Sequence, residues 1–147
     1  MKLGAKRCDE AVKLLNEMMA GGLVPDKIHY TCLINGYCLK GETENAWQVF
    51  EKMLKANIKP DVVTYNILAG GYSRIGAVIN VYDLLEHMMD QGLEPNSLTY
   101  GIAIACFCRG GNLSEAEVLF NIVEEKGIDN IEVLCFYGLW LFALGLD

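Results

Sequence analysis

Among the residues of this 147-residue sequence that could hold a metal, or serve as nucleophile and base, are six cysteines and two histidines. Cys38 and Cys108 fall at the same place of a repeating pattern, with Ser73 between them. Small side chains recurring in that way mark buried packing positions rather than ligands. Cys106-x-Cys108 has the wrong spacing for a zinc knuckle, and no His-x-Glu followed by Cys-x-x-Cys is present, so the constellation of a zinc deaminase is missing. His29 and His87 stand in different repeats, where the sequence shows no paired nucleophile and no carboxylate orienting them, and read as surface histidines. No phosphate loop or dinucleotide glycine fingerprint occurs. These residues point to a chain that binds without catalysing, with no metal and no cofactor.

The elements that position side chains are set by a period of 35 residues. Tyr30, Tyr65 and Tyr100 share it with Gly41, Gly76 and Gly111, and with Pro25, Pro60 and Pro95. Apolar positions follow in register: Tyr37, Tyr72 and Phe107; Phe50, Leu85 and Phe120; Met18, Met53 and Met88; Ala11, Ala46, Val81 and Ala116. A fixed period of this size means stacked supersecondary units. Ile28, Tyr30, Leu33, Ile34, Tyr37 and Cys38 have the three-to-four spacing of an amphipathic helix, which Gly41 ends in the left-handed conformation. Ala46, Val49, Phe50, Met53 and Leu54 repeat the pattern in a second helix, which Pro60 cannot continue. Asp26, Asp61 and Asn96 are suited to cap the first helix that follows each proline. The spacing therefore predicts helical hairpins, an all-α class. A lone hairpin cannot bury its apolar stripe, so neighbours must stack into an α-solenoid, expected to be right-handed, with a concave face lined by equivalent positions. The register predicts a second-helix half-repeat over 1–26, repeats at 27–61 and 62–96, a diverged repeat at 97–130, and a first-helix half-repeat over 131–147.

With 52% hydrophobic residues the chain can fold as one ordinary unit. No secretory or organellar targeting segment is visible at its start, and the cysteines are expected as reduced thiols. Val133 to Leu146 is almost wholly apolar but shorter than the roughly 20 residues that cross a bilayer. A helix there suits docking on a protein partner or self-association. The net charge of −7 argues against grip on nucleic acid by bulk electrostatics. Sorted by helix, however, the first helices Lys27–Lys40, Val62–Ile75 and Ser97–Gly110 carry Lys27, Lys40, Arg74 and Arg109 and no acid, whereas the second helices are acidic. A mildly basic groove inside an acidic outer surface is the expectation, with those four cations as candidate phosphate contacts.

Val62-Val-Thr-Tyr-Asn-Ile-Leu68, the Gly76 turn and the closing Gly92-Leu-Glu-Pro-Asn96 resemble the pentatricopeptide repeat family, and the resemblance spans essentially the whole chain. The 34-residue tetratricopeptide repeat has a different period, and its Trp-x-x-Leu-Gly-x-x-Tyr signature is absent. The resemblance implies binding of single-stranded RNA in mitochondria or chloroplasts, one base per repeat, by side chains of the concave face. It assigns base reading to the residue after the repeat tyrosine and the residue after the closing proline. These are Thr31 with Asp61, associated with guanine, and Asn66 with Asn96, associated with cytosine and more weakly uracil. Ile28, Val63 and Leu98 resemble the branched apolar group that sandwiches bases. In the third repeat Gly101 offers no reading side chain, and the closing place falls on Asn130 or Ile131. Two readable repeats at roughly 1–3 kcal/mol each imply a weak site, millimolar to micromolar. A protein-interaction scaffold, or a remnant without independent activity, are the alternatives.

Overall fold

The computed structural model describes residues 2–128, with side chains from residue 9 onward. The half-repeat expected over 131–147, the apolar stretch from Val133 to Leu146 and the closing place at Asn130 or Ile131 lie outside the described residues. Helices run α1 (Lys2–Ala20), α2 (Lys27–Leu39), α3 (Thr43–Lys55), α4 (Val62–Arg74), α5 (Val78–Asp90), α6 (Ser97–Arg109) and α7 (Leu113–Lys126), and no strand occurs among the described residues. The first helices α2, α4 and α6 each stop one residue before the expected boundary.

Caps fix where the first helices begin. The Asp26 carboxylate accepts from the His29 N–H at 3.0 Å while His29 Nδ1 accepts from the Asp26 N–H at 3.1 Å, a reciprocal capping box. Asn96 and Thr99 repeat it at the start of α6, at 3.0 and 3.1 Å. Asp61 accepts from the Thr64 N–H at 3.1 Å at the start of α4. Gly41, Gly76 and Gly111 end the same helices with φ of 79°, 74° and 79°, the left-handed conformation that glycine adopts without steric cost.

The chain forms two compact units, residues 1–71 and 72–147, and the division falls inside α4. In the first unit α2 packs between α1 and α3. Its core contains Tyr30, Ile34, Phe50, Met53 and Tyr65, each at most 6% exposed. Tyr65 meets Phe50 edge-on, with centroids 5.5 Å apart and planes at 74°, a favourable aromatic geometry. Burial pushes the Tyr65 phenol up to about 12. Ala11 and Met18 depart from their series: both are exposed, whereas Ala46 and Met53 are fully buried. α1 packs against α2, whereas α3 packs against α2 and also meets α4 through the Phe50–Tyr65 contact. In the second unit α6 packs against α5 and α7, burying Val81, Leu84, Met88, Tyr100, Ile104, Phe107, Ala116 and Val123. No described helix is long and apolar enough to cross a membrane.

Candidate nucleic-acid interface

Thr31, on the second turn of α2, and Asp61, the cap of α4, belong to one hydrogen-bonded chain. The Thr31 and Thr64 hydroxyl oxygens lie 3.3 Å apart, and the Thr64 hydroxyl donates to Asp61 Oδ1 at 3.2 Å. A hydroxyl has one proton to give. With the Thr64 proton committed to Asp61, the Thr31 hydroxyl is the donor to Thr64, which leaves lone pairs on Thr31 to accept. Thr64 is completely buried, so its orientation is fixed by the core. Asp61 Oδ1 is occupied by the cap, and Oδ2 pairs with Lys27 Nζ at 2.9 Å. Partial burial pushes the Asp61 carboxyl up, but the Lys27 ammonium and the two Thr64 hydrogen bonds outweigh it and hold the group below its ordinary value. The sequence-derived reading pair is thus joined through Thr64, whose only sequence signal is its place three residues beyond the cap.

Ile28, Val63 and Leu98 sit at the second residue of α2, α4 and α6 and are 66%, 58% and 51% exposed. Three branched apolar side chains are held in solvent at the same register position, whereas most other apolar residues of these helices pack inward, Leu39 of α2 being an exception at 49% exposed. Asn66 and Asn96 fall in different units. Asn66 is 6% exposed, while Asn96 is exposed and its side chain accepts from the Thr99 hydroxyl at 2.9 Å as well as from the Thr99 N–H. Gly101 is buried.

The candidate phosphate contacts are engaged within the protein. Lys40, with 18% of its side chain exposed, pairs with Asp9 of α1 and with Glu42 at 3.3 Å. The Asp9 carboxylate is the main influence holding the Lys40 ammonium above its ordinary value. Arg109 donates to the carbonyl of Ser73 at 3.3 Å and to its hydroxyl. Lys27 is taken by Asp61, and Arg74 also has a partner. Sorting charge by helix counted the cations correctly but missed Asp9 and Asp61, which lie on neighbouring segments within reach of flexible lysine stems. Among the described residues no group of His, Cys, Asp and Glu is placed to hold a metal ion, and Cys38, Cys106 and Cys108 are buried thiols.

The profile of the PPR, or pentatricopeptide, repeat family matches residues 25–74 and 61–109, and that of the PPR repeat matches 5–23 and 98–128. The chain belongs to the pentatricopeptide repeat family. Its fold is the helical-hairpin solenoid class of that family. The crystal structure of the pentatricopeptide repeat protein PPR10 from maize aligns over 97% of this chain with a TM-score of 0.81 and 23% identity. PPR10 in complex with an 18-nt psaJ RNA element aligns over 86%, with a TM-score of 0.70 and 31% identity. The PPR domain of Arabidopsis thaliana protein-only RNase P 1, in complex with tRNA, aligns over 99%, with a TM-score of 0.74 and 20% identity. This chain spans 21% and 19% of the two PPR10 chains and 79% of the third. No curated protein matches it in sequence.

Proposed function

We propose that this pentatricopeptide repeat chain binds single-stranded RNA without catalysis, the repeats at 27–61 and 62–96 each taking one base. The observation that carries the reading is the Thr31–Thr64–Asp61 chain. It leaves lone pairs on Thr31 to accept, and Asp61 Oδ2 accepts as well once it exchanges Lys27 for a base, which matches the N–H donors on the pairing edge of guanine. Exposed Ile28 and Val63, on the first turns of α2 and α4, supply apolar surface for the faces of a base. Support also comes from the similarity to PPR10, whose structure holds an RNA element. Asn66 and Asn96 are assigned the second base, cytosine or uracil, through amides that both donate and accept. A place in organellar RNA processing, stability or editing, in mitochondria or chloroplasts, follows from the family alone.

Lys27 and Lys40 must exchange carboxylate partners for phosphates, so the electrostatic contribution is small. Binding to a short single-stranded RNA containing guanine beside cytosine is expected at micromolar to millimolar Kd, with a shallow loss as salt rises, roughly one phosphate's worth of slope per freed cation. Fluorescence anisotropy across a salt series checks this. Equal affinity for duplex and single-stranded RNA would remove the basis for the reading.

A further inference from the structure

The second unit carries an apolar groove lined by none of the residues assigned above to RNA contact. It lies between the second helices α5 and α7, has a volume of about 390 Å³, and is lined by Tyr82, Met89, Val118, Leu119 and Ile122 among others. Buried Phe107 of α6 lines it as well, 6.4 Å from the Tyr82 ring between centroids. Tyr82, Met89 and Val118 are 48%, 54% and 58% exposed. Tyr82 and Met89 have apolar counterparts in Trp47 and Leu54 of the first full repeat, but the repeat does not require apolar side chains at the other exposed positions. The register places Gln48 and Asp83 at the position of Val118, and Glu44 at that of Ile79, which is 75% exposed. At Val118 and Ile79 apolar residues stand where other repeats carry polar ones, exposed at a cost in solvation that a partner would recover.

Charge selects the occupant. Glu86 and Glu115 line the groove, Asp83, Asp90 and Glu117 lie on the same two helices, and the one lysine of these helices is Lys126 at the end of α7. An anionic rim repels a phosphate backbone, and it repels a second copy of a chain with net charge −7. We infer that the α5–α7 groove docks a basic amphipathic helix of a partner protein, with apolar anchors at i, i+3, i+4 and i+7 entering the groove and Lys or Arg on its flanks meeting the acidic rim. Met89 supplies an adaptable wall for such anchors.

The test uses the full chain and a labelled, end-capped peptide of about four helical turns. It carries leucines at those four positions and lysines on both flanks. Saturable binding is expected, weakened about tenfold or more by Val118→Glu and by Met89→Glu. Each substitution adds negative charge, so non-specific attraction to a basic peptide would grow rather than fall. Both sites are exposed, and unchanged circular dichroism and RNA affinity show that the fold is kept. A peptide with glutamates on the flanks, or with the same residues scrambled off the helical spacing, is expected to lose binding by a similar factor. The proposal is overturned if Val118→Glu leaves peptide affinity unchanged, if the glutamate-flanked or scrambled peptide binds equally well, or if no peptide binds. It is equally overturned if sedimentation shows a dimer that Val118→Glu dissociates, since the groove then belongs to a second copy.

Discussion

Thr64 never faces a base in the arrangement proposed here, yet it decides what Thr31 offers one. Its single proton goes to Asp61, so the Thr31 hydroxyl donates to Thr64 and keeps its lone pairs to accept. Thr64→Val keeps the branched shape and the backbone N–H that Asp61 caps, and removes the relay. We expect little loss of helix content but a guanine preference reduced by a few fold, in keeping with the roughly 1 kcal/mol of one hydrogen bond; competition between guanine- and adenine-containing oligonucleotides reads it out. Asp61 has a second duty. As the cap of α4, Asp61→Ala is expected to lower stability by about 1 kcal/mol at neutral pH. Because the native carboxyl is held below its ordinary value, that contribution is present above the unfolded value of about 4 and is lost as pH falls through the lower native one. Denaturant melts of the two proteins should therefore differ at pH 7 and converge in acid. Asp26 and Asn96 were equally legible as caps because the proline and the tyrosine bracket them; Thr64's role was not, because its hydroxyl partner Thr31 lies 33 residues away.

At the scale of helices, the second-helix ends show how strictly the repeat sets backbone conformation. Gly22, Gly92 and Gly127 have positive φ, and in the same register Asn57 does too, at 60°. Asn tolerates this region better than other side chains, so Asn57→Ala is expected to cost about 1 kcal/mol while Asn57→Gly costs little, as measured by thermal unfolding. α4 approaches α2 closely at Gly71. A Cβ on Gly71 would lie 2.7 Å from Cys38 Sγ, closer than packing permits. Gly71→Ala should cost about 1–3 kcal/mol through overpacking. Adding Cys38→Ala should restore part of it, so that a double-mutant cycle shows coupling rather than additivity. The first helices were readable because period, cap and stop residues agreed on their boundaries to within one residue. The exposure of Ala11 and Met18 was not readable, since a periodic pattern reports what a position can pack against and not whether a neighbour is there.

Across the molecule, the 35-residue period proved informative about scaffold and less so about charge. The four first-helix cations looked available when counted by helix, yet Lys40 reaches back to Asp9 and Lys27 forward to Asp61. Long lysine stems let a charge act on a segment other than its own, and sequence sorting cannot follow them. The α5–α7 groove was hidden for the opposite reason: the acids of the second helices were visible in sequence, but the apolar residues among them could not be told from core until Val118 and Tyr82 were seen exposed. Repeats fix which positions face a ligand, and local side-chain partners then set how strongly they can engage it. The most direct measurement is competition between short RNAs carrying guanine or uracil at one position, for the native chain and for Thr31→Asn. The native chain should favour guanine and the variant should shift toward uracil. An unchanged base preference would contradict the assignment of Thr31 and Asp61 as a base-reading pair.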